Sequence, residues 1–128
     1  MTEIVFKEES YNIIGVCLRV YHELGSGFLE AVYEQAMAKE FQASGIPFDR
    51  QVKLNIRYKG EALAKYYVAD FICYDQIVLE VKTVSFLMKQ HLSQTLNYLK
   101  ATDKRLGLLV NYGRNRFEYR RVLNSGVR

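Results

Sequence analysis

The chain has 128 residues, 49% of them hydrophobic and 25% charged, with a formal net charge of +4. These proportions suit a globular domain with a real core and exclude an intrinsically disordered chain. No apolar run reaches the length of a membrane span, no secretory signal pattern opens the chain, and the modest positive excess permits a polyanionic partner without requiring one.

Taken in order, residues Ser10 to Tyr21 place Ile13, Ile14, Cys17, Leu18 and Tyr21 at the spacing of one helical face, with Ser10 as the expected N-cap. Gly25, Ser26 and Gly27 then interrupt the pattern. A second helix is predicted over Leu29 to Ala43, with Leu29, Val32, Ala36 and Met37 inward and Gly45 ending it. From Pro47 the period changes to two. "FDRQVKLNIRY" sets Val52, Leu54, Ile56 and Tyr58 on one face of a strand, and "KGE" (Lys59 to Glu61) is a hairpin turn. "LAKYYVADFICY" and "IVLEVKTV" read as two further strands around a tight turn near Asp75. "LMKQHLSQTLNYLKA" returns to helical spacing through Met88, Leu92, Leu96 and Leu99; "RLGLLVNY" is a short apolar strand and "RFEYRRVL" a last strand or edge element.

The order is therefore α-α-β-β-β-α-β, with a possible final β. Three strands on tight turns form an antiparallel meander, and the following helix is long enough for a crossover. The fourth strand can then lie parallel to a meander strand in a mixed sheet flanked by helices, an α/β architecture. We read residues 1–128 as a single domain with no internal repeat or linker. Cys17 and Cys73 belong to no CxxC or Cys/His cluster and read as reduced, buried thiols of an intracellular, cytoplasmic protein.

The apolar stretch "YVADFICYDQIVLEVKT" (Tyr67 to Thr83) carries Asp70, Glu80 and Lys82. Charges are costly to bury unless paired. Glu80 and Lys82 are two residues apart and share a strand face with Val78. The face of Asp70 depends on the turn: a two-residue loop at Asp75-Gln76 sets it opposite Val81, and a three-residue loop centred on Asp75 sets it opposite Glu80. If the three charges converge, two hard carboxylates that repel each other suit Mg²⁺ or Mn²⁺, and a lysine beside them can orient water and stabilise developing negative charge. The alternative is a Glu80–Lys82 pair on an exposed face with Asp70 in a hairpin, since ExK is a common tripeptide. Two helical segments bear on this choice. In "GFLEAVYE", Glu30 and Glu34 flank an apolar stripe, and Glu34 reads as a solvated helical edge. In "HLSQTLNY", His91, Gln94 and Tyr98 fall on one polar line that is either a site wall or an ordinary amphipathic boundary, His91 reading as a surface or hydrogen-bonded histidine.

Gly27-x-x-Glu30-x-x-Tyr33 resembles the pattern that names the GxxExxY family of small bacterial and archaeal proteins. The likeness covers about residues 10–123, through "VYHELGSGFLEAVYE", the "YKG" turn, "ADF", "LEVK" and "QTLNYLKATDKRLGLLVNYG". That family is placed in the PD-(D/E)XK nuclease superfamily. The resemblance implies a restriction-endonuclease-like α-β-β-β-α-β core, metal-binding carboxylates at Asp70 and Glu80, and the motif lysine at Lys82. Glu30 resembles the extra acidic ligand of RecB-like nucleases, and Gln94-x-x-x-Tyr98 looks like their QxxxY motif. Ala69 stands where a proline precedes the first aspartate in the family pattern.

The resulting expectation is a Mg²⁺- or Mn²⁺-dependent nuclease acting on nucleic acid, DNA ahead of RNA. Glu30, Asp70, Glu80 and the Val81 carbonyl would hold the metal. Lys82 would position water and stabilise the transition state, Gln94 would orient the water or Lys82, and Tyr98 would support a substrate phosphate. The alternative is a non-catalytic binding or regulatory module that acts with a partner protein or as a homo-oligomer. In either case the basic tail, with Arg114, Arg116, Arg120 and Arg121, would contact phosphates.

Overall fold

The structure, a computed structural model, describes residues 4–113 and 116–126. Helices α1 (Lys7–Leu24) and α2 (Glu30–Ser44) precede β1 (Phe48–Tyr58), β2 (Glu61–Cys73) and β3 (Ile77–Lys82); α3 (Lys89–Thr102), β4 (Leu106–Asn111) and β5 (Glu118–Leu123) follow. The five strands form one sheet in the order β1-β2-β3-β4-β5. Only β3 and β4 are parallel, joined by α3 as the crossover; the other three neighbours are antiparallel. This is the mixed, helix-flanked sheet that the periodicities predict, its α-β-β-β-α-β order is the one the family resemblance implies, and "RFEYRRVL" does supply an edge strand.

Two cores lie on opposite faces. Phe71, Cys73, Ile77, Leu79, Val81, Leu106, Leu108 and Val110 pack under α1 and α2. Val78, Ile72 and Val122 pack under Tyr98 and Leu99 of α3. β3 and β4 are buried on both faces, as a parallel pair between helices must be. Gly107 lets α3 lie close on the sheet: a Cβ there would lie 2.6 Å from Thr95 Cγ2.

Three helical expectations are corrected. α1 begins at Lys7, and Ser10 is not its cap: Ser10 is buried inside the first turns and its Oγ donates to the Lys7 carbonyl. The inward face of α2 is rotated from the predicted one. Leu29 is 76% exposed and Val32 is also exposed, whereas Tyr33, Glu34, Met37, Ala38 and Phe41 are buried. The cause is Tyr33, whose ring stacks on Tyr112 at 4.2 Å between centroids and whose hydroxyl donates to the Gly25 carbonyl at 2.6 Å. In α3, Met88 is the exposed N-cap, and Thr95, Tyr98 and Leu99 form the buried stripe.

The long β1–β2 ribbon changes sides partway. Phe71 belongs to the core under α1 and α2, yet Ala69, two residues earlier, belongs to the core under α3. The switch occurs opposite Gln51, which lies between Arg50 and Val52, the partners of Phe71 and Ala69, and has a left-handed φ of 50°.

Candidate active site

The β2–β3 connection fixes the register. Cys73 pairs with Ile77, so Tyr74, Asp75 and Gln76 form the three-residue loop, with Tyr74 and Asp75 both at positive φ. The ladder runs through Ile72–Val78 and Phe71–Leu79, which makes Asp70 and Glu80 the next facing pair. Instead of pairing there, the two strands part. β2 continues against β1 through Ala69 and Val52, and β3 continues against β4 through Glu80, Val81 and Lys82.

The carboxylates bridge this fork. Glu80 Oε2 accepts from the Asp70 N–H at 2.7 Å, and Asp70 Oδ2 accepts from the Val81 N–H at 2.8 Å. Each carboxylate thus caps the opposite strand with one of its two oxygens. Lys82 turns its carbonyl to β4, where Tyr112 N–H donates to it. By strand alternation the Val81 carbonyl faces the gap toward β2, on the same side as its N–H.

α2 brings two more carboxylates. Gly27, at φ 109°, turns the chain into the helix, and Tyr33 pins that turn from within the core, so Glu30 enters in the first helical turn. Glu34 corrects the expectation of a solvated edge. It is 7% exposed, accepts from Gln51 Nε2 at 2.8 Å and lies 3.7 Å from the Arg50 guanidinium. The pairing residues, Arg50 and the left-handed Gln51, give no signal in a period-two reading of β1. The i, i+4 spacing from Glu30 and the neighbouring anchor Tyr33 are what could have found Glu34.

Electrostatics bind these groups into one cluster. Burial raises the carboxyl pKa of Glu80, and the charge of Asp70 raises it further. Burial is also the main cause of the raised Asp70 value, with Glu34 and Glu30 adding to it and the Val81 N–H and Lys82 opposing it. Tyr98 is pushed up to about 12 by burial and then by Glu80 and Asp70. Its ring lies against Tyr67, 4.9 Å between centroids. Lys82 Nζ donates to Gln94 Oε1 at 3.1 Å, so the strand lysine is tied to α3. His91 lies outside this set: its Nδ1 accepts from Met88 N–H and caps α3.

The basic tail divides. Arg114 lies outside the described residues. Arg116 and Arg120 are exposed, and Arg120 Nη1 donates to the Tyr119 carbonyl. Arg121 is half-buried, with Nη1 donating to Ser10 Oγ at 2.7 Å and Nη2 to the Val5 carbonyl at 2.6 Å, so its guanidinium closes β5 onto the start of α1. A further polar knot was not foreseen from sequence. Asn111 Oδ1 accepts from the Val84 and Gly113 N–H groups, and its Nδ2 donates to the Val84 carbonyl and to Glu118 Oε1. Glu118 also accepts from Leu87 N–H. Together they hold the connector from Lys82 to α3.

The donor set suits a hard divalent cation. It is made of carboxylate oxygens with a main-chain carbonyl at the gap, and buried carboxylates that repel one another are relieved by a positive ion. Among the described residues no three carboxylate, histidine or cysteine side chains already stand together in a metal-ligand group. Asp70 and Glu80 each bond across the fork instead. A cavity of about 1060 Å³ lies along α1 beside Tyr11, Leu18 and Arg121, away from the carboxylates. Among the described residues no helix is long and apolar enough to cross a membrane, and Cys17 and Cys73 are free, buried thiols.

A family model described as the PD-(D/E)XK nuclease superfamily matches residues 7–122. No curated protein matches the chain. Among the solved structures that share the fold are two at low sequence identity. The crystal structure of SSO0001 superposes with a TM-score of 0.60 at 19% identity, covering 73% of this chain and 49% of that one. The alkaline exonuclease LHK-Exo from Laribacter hongkongensis superposes with a TM-score of 0.56 at 13% identity, covering 98% of this chain and 73% of that one. The chain thus spans about half the length of the first of these and about three quarters of the second.

Proposed function

Since the chain belongs to the PD-(D/E)XK nuclease superfamily, we propose that it is a divalent-metal-dependent nuclease that hydrolyses phosphodiester bonds in nucleic acid, DNA ahead of RNA. The observation that carries this is the fork, where Asp70 and Glu80 meet across parted strands with Lys82 two residues along. The Gly27-x-x-Glu30-x-x-Tyr33 motif supports a place in the GxxExxY family, and the two buried thiols agree with a reducing, cytoplasmic setting.

Asp70, Glu80 and the Val81 carbonyl would hold Mg²⁺ or Mn²⁺, with Glu30 approaching from α2. Such a cation, when bound, polarises a phosphoryl oxygen and lowers the pKa of water. The chain's own residues do the rest. Glu34, ion-paired with Arg50 and hydrogen-bonded by Gln51, stays out of the ligand set and fixes α2 against β1. Lys82 presents a charge where the pentavalent phosphate gains negative charge, and Gln94 limits the directions its ammonium can take. Tyr98 keeps its proton at neutral pH and can donate a hydrogen bond to a phosphate oxygen. The exposed Arg116 and Arg120 can contact backbone phosphates further out; Arg121 is committed to α1. A partner protein or a second copy of the chain would extend these nucleic-acid contacts.

The test is incubation of labelled DNA and RNA with the chain in Mg²⁺, Mn²⁺ or EDTA. Cleavage that needs the metal, vanishes in Asp70→Asn and is strongly slowed in Lys82→Ala is the expected result. Intact substrates under all metals, with binding retained, would leave a non-catalytic nucleic-acid module.

A further inference from the structure

Past the fork, β1 and β2 continue as a two-stranded ribbon whose residues 57–66 are all exposed. The stretch 52–66 carries Lys53, Arg57, Lys59 and Lys65 against the single acid Glu61. Tyr67 packs toward α3 on Tyr98, so its neighbours Tyr66 and Val68 present themselves on the other face, 45% and 37% exposed. Lys53 Nζ stands 4.5 Å from the centroid of the Tyr66 ring. At the tip the combination recurs: Lys59 Nζ is 5.4 Å from the ring of Tyr58, which is 62% exposed. Tyr66 lies four residues before Asp70, about 13 Å along an extended strand.

A ribbon with this charge repels a second copy of itself and attracts a polyanion. Exposed rings beside lysines add something a duplex cannot use, because paired bases are stacked inside it. Unpaired bases can lie on the rings while the ammonium groups meet the phosphates. We infer that the β1–β2 ribbon binds a single-stranded nucleic-acid segment and leads it to the fork, with Tyr66 as a base platform and Lys53 as its phosphate contact. This rests on the nuclease reading for its substrate class, and its binding step can be measured without cleavage.

The probes are a fluorescent oligothymidylate and a blunt duplex of the same length, titrated in EDTA and read by anisotropy. Tyr66→Ala should weaken oligothymidylate binding about tenfold and leave duplex binding nearly unchanged, while Tyr66→Phe keeps the ring and the affinity. Lys53→Ala should weaken the same complex and lower the slope of log K against log salt by about one. Lys53 is exposed, so this second variant decides the matter if Tyr66→Ala fails to fold. Wild-type affinity in both alanine variants, or equal losses on strand and duplex, overturns the inference. So does a dimer that Tyr66→Ala converts to monomer with strand binding intact. Oligothymidylate bound through Tyr66 but left uncut in Mn²⁺ upholds the ribbon and removes the nuclease. Metal-dependent cleavage with Tyr66→Ala binding like wild type does the reverse.

Discussion

Glu80 is 3% exposed, sits between Leu79 and Val81 in a strand buried on both faces, and looks across a gap at a second carboxylate. Its raised pKa and that of Asp70 mean that the folded chain holds protons more tightly than the unfolded one. Stability from these two groups is therefore fully present below the ordinary carboxylate pKa of about 4 and is lost as pH rises through their raised values. In EDTA the wild-type melting temperature should fall across that range relative to Glu80→Gln, whose amide stays neutral; parallel curves for the two proteins would contradict the clustering. Lys82 and Gln94 can be separated by kinetics. Lys82→Ala should cut saturated turnover by about a hundredfold or more with little change in KM. Gln94→Ala, acting through Lys82, should cost less, and Gln94→Glu should recover part of that loss by keeping an acceptor for the ammonium.

At the level of single elements, the odd loop at Tyr74-Asp75-Gln76 decided between two registers that the sequence left open. Strand alternation could define both outcomes because the period of two is strict, but it could not count the loop residues. Helix α2 was harder to read. Its apolar positions are spread around the helix, so the buried stripe is set by the Tyr33–Tyr112 stack, a partner about 80 residues away. Glu34 was misread for the same reason, its partners lying on β1. The connector from Lys82 to α3 is held mainly by Asn111, which is fully buried, and by Glu118, whose carboxyl Asn111 keeps below the usual range. Asn111→Ala leaves the Val84 and Gly113 amides without acceptors and should destabilise the chain by about 2–3 kcal/mol in urea titrations. Trypsin should then cut faster at Lys82 or Lys89, the basic residues flanking the connector. An Asn111→Ala protein with wild-type midpoint and digestion rate would show that the knot is ornamental.

Across the whole molecule, the element order and the parallel crossover were legible because apolar period and turn chemistry agree along most of the chain. Long-range closure was not. Arg121 reads as one member of a basic run, yet it ties β5, at one edge of the sheet, to residues five and ten of the chain. The two neighbouring arginines should therefore behave differently. Arg121→Ala should lower unfolding free energy by about 1–3 kcal/mol while the salt dependence of nucleic-acid binding holds. Arg120→Ala should leave the melting curve in place and, if Arg120 meets a phosphate, reduce the salt slope by about one. A reversed pattern would place the phosphate contact at Arg121 after all.

The fork also makes two backbone amides into reporters. The Asp70 and Val81 amides donate to the Glu80 and Asp70 carboxylates, whereas neighbours such as Leu79 belong to ordinary ladders. If those oxygens turn to the cation of the proposed function, the two amides lose their acceptors. Deuterium uptake at Asp70 and Val81 should quicken on adding Mg²⁺ while uptake at Leu79 stays slow or slows further, so occupancy of the site becomes visible in the backbone without any substrate. Unchanged uptake at both amides with saturating metal would mean that the strands remain stitched and that any cation takes only the second oxygen of each carboxylate.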